Sequence, residues 1–401
     1  MLRRGEEDGN FMKELREILD AYAALRRQGR PAALATVVAV SGSSYRRPGA
    51  RMLLTADGWA AGGVSGGCLE SDVAQRARVV LESGRADIVT YDTTEDGDIV
   101  FGVGLGCRGV IQILIEPLAG NRPDFAFLAA LTQGREAGVC ATVFRSEGGA
   151  PARLGERFLR SETGSAYDGM TDTDLTARVR LDAGDALASG RSCAQEYKLS
   201  EGSVSVFLEA LAPPQALVIF GAGHDALPLV RLAKEIGWHV TIADARPADA
   251  TAERFPQADT VLVCPPEAAA MQIPLDARTA VVLMTHNYLH DRALLEQWLS
   301  SPVRYLGVLG PKRRTERLLA DLPPGLVTDA ALVRLHSPVG LDIGADTPEL
   351  IALAIIAGIQ AVAAGRPGGF LRDRVGPIYA PETHTLPTTV GILPHCAIGT
   401  P

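Results

Sequence analysis

The chain contains 401 residues, of which 47% are hydrophobic, so we expect two or three domains with buried cores. Glycine is enriched, at 42 residues, and its clustering indicates several tight loops with exposed backbone. A net charge of −8 and an aromatic content of 5% argue against a protein that binds nucleic acid. The 6 cysteines form no CxxC pair, which argues against a disulfide framework or a zinc site.

The cysteine usage and the start of the chain both predict a cytoplasmic protein. The first residues are charged rather than apolar, so no secretory signal is expected. The longest apolar run, residues 351–364, is shorter than the roughly 20 residues of a membrane-spanning helix. We therefore predict no membrane span.

Residues 1–120 alternate helical and strand patterns and predict an N-terminal α/β domain. Apolar residues at helical spacing predict a helix over 11–25, and a second helix is expected over 69–81. Strands are predicted at 32–40, 51–54, 87–91 and 110–115. Glycine-rich loops separate these elements, notably at 62–67 and 102–109.

Residues 121–212 show weaker periodicity and predict a mixed, mostly β extension or a linker region. A helix near 125–131 and a strand near 139–144 are expected. The Gly-, Ser- and Asp-rich stretch over 147–192 is interpreted as short strands with long turns. No internal repeat is expected anywhere in the chain.

Residues 213–375 alternate apolar strands and helices, which indicates a Rossmann-like, doubly wound parallel sheet covered on both faces. Strands are predicted at 216–220, 240–243, 260–263, 280–284 and 303–308. A long helix is expected over 347–364, and residues 376–401 are interpreted as an irregular tail. The predicted fold class is therefore α/β in both domains.

A dinucleotide-binding fingerprint follows the first strand of this sheet. Gly221 and Gly223 belong to a G-x-G-x-x-A loop with His224 between a strand and a helix, and Asp244 ends the next strand, where an acid is expected to bond a ribose hydroxyl. Such a loop exposes backbone N–H groups to a pyrophosphate at a helix N-terminus. A nucleotide such as NAD(P) is one expected ligand, and a scaffold without a ligand is the alternative. Arg246 either binds the 2′-phosphate of a nucleotide or has only a structural role, capping the edge of the sheet.

A loop that combines small residues with arginines follows the first strand of the chain. Its hydroxyls, backbone N–H groups and guanidinium groups suit an anionic ligand. An exposed basic loop without a ligand is the alternative. The candidate cofactor-binding residues are Ser43, Ser44, Tyr45, Arg46 and Arg47.

Two cysteines stand in glycine-rich loops and are the candidate functional thiols. Cys68 follows Gly66 and Gly67 where a helix is predicted to begin, and a helix N-terminus favours a nucleophilic, metal-binding thiolate. Cys107 lies in the next glycine-rich loop. A lone cysteine is also often a small buried hydrophobic residue. Glu70 either caps its own helix or bonds a ligand.

Polar residues also follow the later strands of the C-terminal sheet. His286 and Asn287 come after the fourth strand, where ligands bind in such folds. His286 and His290 have a spacing that metal sites use, but no third ligand is evident. Gly310 precedes a basic run at 312–314, and its exposed backbone is another candidate site for an anionic ligand. The alternative is that the basic run is only the solvent-exposed start of a helix.

Taken in order, these motifs resemble the XdhC/CoxI family of molybdenum-hydroxylase accessory proteins. The resemblance extends from about residue 40 to 360. It is carried by the stretches 42–50, 66–70, 221–226, 244–247, 284–287, 305–310 and 340–345.

The resemblance implies a chaperone that binds the molybdenum cofactor, a phosphorylated pterin that holds its metal through a dithiolene. Such a protein assists sulfuration of the cofactor and its insertion into an apoenzyme of the xanthine dehydrogenase or carbon monoxide dehydrogenase type. Cys68 would then contact the molybdenum, and the arginine and glycine loops would hold the phosphate and pterin. The implied partners are this molybdenum hydroxylase apoenzyme, a cysteine desulfurase and a second copy of the chain in a homodimer.

Two other functions compete with this interpretation. An NAD(P)-dependent oxidoreductase would use the loop at Gly221 and Asp244, although the chain offers no Tyr-x-x-x-Lys pair for catalysis. A pure scaffold would use the Rossmann-like unit only for dimerisation and would bind no ligand.

Overall fold

The structure is a computed structural model that describes residues 9–92 and 109–376. Its elements form two compact units. The first contains residues 14–213, and the second contains residues 214–376 together with residues 9–13. Each unit is described separately below.

Helix α1, Gly9–Arg27, confirms the first predicted helix, and its residues from Glu14 onward belong to the first unit. A five-stranded antiparallel sheet with one helix follows, in residues 32–118, which we call the first repeat. Its elements are β1 Ala32–Gly42, β2 Arg51–Thr55, β3 Gly58–Gly62, α2 Glu70–Ser83, β4 Asp87–Asp92 and β5 Gly109–Leu118. The strand order is β3-β2-β1-β5-β4, so the long apolar strands β1 and β5 form its centre.

Helix α3, Pro123–Gln133, leads into a second sheet with one helix in residues 138–211, which we call the second repeat. Its elements are β6 Gly138–Glu147, β7 Arg157–Ser161, β8 Ala166–Asp168, α4 Thr173–Ser189, β9 Cys193–Leu199 and β10 Gly202–Leu211. The strand order β8-β7-β6-β10-β9 reproduces the topology of the first repeat, with a helix at the same point of the chain. The expectation that the chain contains no internal repeat is therefore wrong.

The interpretation of residues 147–192 as short strands with long turns is also corrected. Residues Thr173–Ser189 form a helix of 17 residues, whose buried face includes Leu175, Val179, Ala183 and Ala186. Those positions follow helical spacing, but alanine gives a weak hydrophobic signal and Gly184 interrupts the pattern. The helix depends on packing against the sheet more than on local propensity.

Crossed ion pairs join the two repeats. Residue numbers at the starts of β1 and β6, and of β2 and β7, differ by 106, so Arg51 and Arg157 occupy equivalent positions. Arg51 in the first repeat donates to both carboxylate oxygens of Glu209 in the second. Arg157 in the second repeat donates to both oxygens of Glu116 in the first. Each repeat therefore supplies an arginine to the other repeat's glutamate.

The crossed pairs accompany a shared apolar core. Val38, Ala39 and Leu114 of the first repeat cluster with Phe144 and Phe207 of the second, and all five are buried. The two repeats therefore fold against each other as one unit, with two buried arginine–glutamate pairs near their contact.

The second unit is a doubly wound parallel sheet, which confirms the predicted fold class. Its elements are β11 Ala216–Phe220, α5 Ala226–Glu235, β12 His239–Asp244, β13 Thr260–Val263, α6 Ala269–Gln272, β14 Thr279–Leu283, α7 Tyr288–Trp298, β15 Tyr305–Val308, α8 Lys312–Ala320, α9 Asp329–Arg334, β16 Leu335–His336 and α10 Pro348–Ala363. All six strands run parallel in the order β13-β12-β11-β14-β15-β16.

The central strand β11 explains why both faces of this sheet are covered. Leu217 and Ile219 belong to one apolar core, whereas Val218 and Phe220 belong to the other. Alternate side chains of a strand point to opposite faces, so a continuous apolar run needs helices on both sides. The chain order reverses between β11 and β14, which places the topological switch point there.

Within the described part of the chain, no helix combines the length and the hydropathy that crossing a bilayer requires.

Candidate functional site

The loop before α2 holds the Cys68 thiol against a serine. The Cys68 thiol donates to the Ser65 hydroxyl oxygen, with Sγ and Oγ 3.4 Å apart. The same oxygen accepts from the backbone N–H groups of Gly67 and Leu69, each at 3.1 Å. Cys68 is half-buried, and Gly66 and Gly67 are exposed. The thiol therefore lies at the start of a helix, beside exposed backbone.

Glu70 completes this loop from the first turn of α2. Its carboxylate accepts from the Ser65 backbone N–H at 2.8 Å and from the Ser65 hydroxyl. Partial burial alone would raise the pKa of the Glu70 carboxyl, but the hydrogen bonds from Ser65 lower it below its usual value. The Glu70 carboxylate therefore ties the loop to the first turn of α2 through Ser65, and its role toward a ligand stays a prediction.

The loop at residues 43–47 is held from two directions. The Ser44 hydroxyl donates to the Arg46 carbonyl at 2.8 Å, and Arg46 forms an ion pair with Glu14 of α1. Ser43 and Tyr45 are exposed, and Arg47 is half-buried. The guanidinium of Arg46 is therefore already engaged by a carboxylate, whereas Tyr45 presents its ring to solvent.

The two loops meet through Tyr45 and Gly66. A Cβ atom at residue 66 would lie 3.3 Å from Cγ of the Tyr45 ring and 3.4 Å from each Cδ. The structure thus brings together the predicted residues Tyr45, Gly66, Gly67, Cys68 and Glu70 in neighbouring loops. Only the fold reveals this contact, since the sequence contains no signal that joins the two segments.

The second repeat provides an internal control for these candidates. At a separation of 106 residues, Gly49 and Arg51 have the counterparts Gly155 and Arg157, and Arg47 has the counterpart Arg153. The positions equivalent to the remaining candidates of the first repeat carry different residue types. Ser43, Ser44, Tyr45, Arg46, Gly66, Gly67, Cys68 and Glu70 correspond to Gly149, Ala150, Pro151, Ala152, Asp172, Thr173, Asp174 and Thr176.

Gly221 in the second unit is required by a close backbone approach. It has a φ of 119°, and a Cβ there would lie 2.2 Å from the Met284 carbonyl oxygen. Gly223 and the exposed His224 follow at the entrance to α5. The glycine loop therefore crosses the switch point tightly packed against the end of β14.

Asp244 is buried and fully engaged inside this unit. Its carboxylate accepts from the Ala222 backbone N–H at 2.7 Å and from the backbone and guanidinium of Arg246. Burial would raise the pKa of Asp244, but the Arg246 and Ala222 hydrogen bonds lower it. Asp244 thus braces the glycine loop, and Arg246 covers the carboxylate that was expected to bond a ribose.

His286, which follows β14, contacts the loop that follows β11 across the switch point. Its Nε2 lies 2.7 Å from an Asp225 carboxylate oxygen, and its backbone φ is 58°, a conformation that few residues other than glycine adopt. Asn287 caps α7 by accepting from the N–H groups of Leu289 and His290. His286 therefore lies among polar groups at the switch point, whereas Asn287 has a structural partner.

Sequence reasoning missed a buried ion pair beside these residues. Asp291 of α7 is almost fully buried and pairs with Arg314 of α8 at 2.7 Å, while Thr285 donates to its other oxygen at 2.6 Å. A Cβ at Gly310 would lie 3.4 Å from Arg314 Cδ. The Asp and Arg stand 23 residues apart in the chain, and neither the acid in the first turn of α7 nor the basic run at 312–314 identifies the other as its partner.

Across residues 9–92 and 109–376, no three His, Cys, Asp or Glu side chains converge as a metal site. Cys107 lies outside the described residues, so its predicted role stays a prediction.

Comparison with known proteins identifies the family. A model described as the XdhC and CoxI family matches residues 25–92 and again residues 131–198, and a model described as the XdhC Rossmann domain matches residues 217–359. The chain is also 31% identical over 337 residues to a probable xanthine dehydrogenase subunit of Bacillus subtilis, covering 84% of this chain and 94% of that protein. The chain belongs to the XdhC and CoxI family.

Two further relatives extend this result. The molybdenum cofactor insertion chaperone PaoD of Escherichia coli is 24% identical over 347 residues, which is 86% of this chain and 88% of PaoD. A crystal structure from Bacillus halodurans, described as a xanthine dehydrogenase, is similar with a TM-score of 0.69 and 28% identity. That similarity covers 87% of this chain and 96% of the other.

The family match also bears on the internal repeat. The XdhC and CoxI model matches two segments of 68 residues whose numbers differ by 106, the same separation as between the starts of β1 and β6 and of β2 and β7. In this member of the family, the cysteine loop therefore occurs in the first of the two matched segments only.

Proposed function

We propose that this protein binds the molybdenum cofactor through the loops of its first repeat and delivers it to the apoenzyme of a molybdenum hydroxylase. The family membership supports an accessory role of this kind. Similarity over 88% of the length of a molybdenum cofactor insertion chaperone supports delivery of the cofactor rather than its turnover.

The observation that carries the proposal is the Cys68 loop. Its thiol stands at a helix N-terminus, half-buried, beside the exposed backbone of Gly66 and Gly67. Thiolates are soft ligands that suit molybdenum and its sulfur ligands, and exposed N–H groups at a helix start suit anionic groups. The second repeat has the same fold but carries Asp174 in place of the cysteine, so the sheet does not need this thiol.

Each residue of the site would have a separate task. Cys68 would contact the molybdenum or a sulfur bound to it, and the backbone of residues 66–67 would face the pterin or its phosphate. Ser65 and Glu70 would position the thiol, because they fix the loop to the first turn of α2. In the second unit Arg246 bonds to Asp244, the acid that was expected to bond a ribose, so we assign no NAD(P) chemistry to this unit.

The test is anaerobic purification of the full chain from cells that make the molybdenum cofactor. Molybdenum would be measured by mass spectrometry and pterin by the fluorescence of its oxidised form. We expect both in the wild-type protein and at least a tenfold loss in Cys68→Ser. The purified protein should also activate a cofactor-free molybdenum hydroxylase.

Cys193→Ser is the matched control. Cys193 is half-buried in the second repeat, where burial, together with the nearby Asp182, raises the pKa of its thiol. This variant should retain the cofactor. A wild-type protein that carries neither pterin nor molybdenum would refute the proposed function.

A further inference from the structure

Tyr45 is a large exposed aromatic side chain beside the cysteine loop. Its side chain is 68% exposed, although most large apolar residues of the first repeat are buried. An exposed ring of this kind needs an explanation when it occurs at a binding site, since isolated exposed apolar residues elsewhere are ordinary.

One face of the Tyr45 ring is covered by the backbone of Gly66. The three ring atoms nearest to a Cβ at residue 66 are at almost equal distances, 3.3 Å for Cγ and 3.4 Å for each Cδ. Equal distances to both Cδ atoms and to Cγ place residue 66 above the ring face rather than at its edge. A glycine lets the backbone lie against the ring, and the high exposure leaves the opposite face to solvent.

The segment that carries Tyr45 is anchored on both sides of the ring. The Ser44 hydroxyl bonds to the Arg46 carbonyl across Tyr45, and the Arg46 guanidinium pairs with Glu14. A ring held in place before a ligand arrives loses little conformational entropy on binding. The anchoring therefore suits a binding surface better than a mobile exposed loop.

This arrangement is confined to the first repeat. The positions equivalent to Tyr45 and Gly66 carry Pro151 and Asp172, although both sheets have the same topology. The ring and the glycine beneath it are thus absent where the thiol is absent. Trp59, which is 67% exposed in the same repeat, instead bonds through its indole N–H to the Gly62 carbonyl.

We propose that Tyr45 is the stacking platform for the flat pterin ring, which would lie on the exposed face of the tyrosine beside the Cys68 loop. The inference rests on the proposed function, because the cofactor supplies the planar heterocycle. Aromatic side chains stack on such rings without a need for specific hydrogen bonds, and losing one such stack commonly weakens binding by about tenfold or more.

The experiment uses the full chain and free neopterin, a fluorescent pterin without phosphate or metal. Neopterin fluorescence is titrated with wild-type protein, Tyr45→Phe, Tyr45→Leu and Trp59→Leu. We expect quenching by the wild type and by Tyr45→Phe, about tenfold weaker binding by Tyr45→Leu, and no change in Trp59→Leu. Gly66→Ala should also weaken binding, because the new methyl group displaces the ring by a few tenths of an ångström.

The copurified cofactor provides the second readout. Tyr45→Leu should lose pterin and molybdenum together, while Tyr45→Phe should keep both. Equal neopterin binding by Tyr45→Leu and wild type, or no binding by a wild-type protein that copurifies with cofactor, would overturn the stacking proposal and leave the proposed function intact. Tyr45-dependent neopterin binding by a protein that carries no cofactor would instead refute delivery of the cofactor and leave the stacking role standing.

Discussion

The two repeats of the first unit share a sheet and differ in their loops. Both contain the strand order, the glycine two residues before a buried arginine, and the arginine that crosses to the other repeat's glutamate. Both also contain a tyrosine, Tyr91 or Tyr197, whose hydroxyl bonds to an aspartate on the neighbouring helix. What the repeats share therefore serves the fold.

The differences lie before the helix of each repeat. Helix α4 begins with a simple cap, in which the Asp172 side chain accepts from the Leu175 N–H at 2.7 Å. The loop before helix α2 instead holds Ser65, which bonds to the Cys68 thiol and to the Glu70 carboxylate. A helix start in this fold needs only one acceptor, so the additional groups in the first repeat are best explained by the site.

The largest expected effect concerns the crossed arginines. Arg51→Ala should lower the free energy of unfolding by about 3–5 kcal/mol, because it leaves the buried Glu209 carboxylate without its one cationic partner among the described residues. Arg157→Ala should cost less, since Arg122 stays paired with Asp124 at 2.6 Å and lies 3.9 Å from Glu116. Urea denaturation of the full chain, followed by circular dichroism, measures both values.

The double variant Arg51→Met with Glu209→Leu is the control for that prediction. Replacing both partners by apolar residues removes the uncompensated charge, so most of the lost stability should return. Losses below about 1 kcal/mol in both single variants would show that the crossed pairs do not hold the repeats together.

A smaller effect on stability and cofactor content should distinguish a structural role from a binding role at the starts of α2 and α4. Ser65→Ala and Asp172→Ala should each cost about 1 kcal/mol, because Ser65 accepts from two backbone N–H groups just before α2 and Asp172 accepts from one in the first turn of α4. Only Ser65→Ala should also reduce the copurified cofactor, since Cys68 loses its hydrogen-bond partner. Equal cofactor content in the two variants would mean that Ser65 serves the helix alone.

The smallest effect is a pH dependence at Glu70. Its pKa is lowered in the folded state, so the ionised carboxylate stabilises the fold above the unfolded-state pKa near 4.5, and this contribution is lost as the pH falls through the folded-state value. The stability difference between wild type and Glu70→Gln should therefore shrink between about pH 7 and about pH 3. Because Glu70 is only half-buried, the difference should stay below about 1 kcal/mol. A difference that does not change with pH would contradict this assignment.

Prediction from the sequence succeeded where the signal is local. The parallel sheet follows from apolar runs that alternate with helices, and Gly221 follows from a loop pattern with a defined backbone demand. Helix α4 was missed because its buried face is built partly of alanine, and the repeat was missed because few side chains agree between the copies.

For the candidate site, too, prediction succeeded only where the signal is local in the chain. Cys68 and its glycines were visible as a loop before a helix, and the motif order indicated the family. The hydrogen bonds between Arg246 and Asp244 could not be predicted, although the two residues are close in the chain. A ribose ligand and an arginine would compete for the same carboxylate oxygens. Neighbouring residues alone do not state which partner is present.

Amino-acid order alone was enough to establish the parallel sheet of the second unit, the glycine loops and the thiol at a helix start, since these depend on residues near one another in the chain. The tertiary structure decided which of these local features contact one another. Arg51 meets Glu209 across 158 residues, and Tyr45 lies on Gly66 from a separate loop. Such contacts arise because burying two sheets against each other selects partners by position in space rather than by distance along the chain.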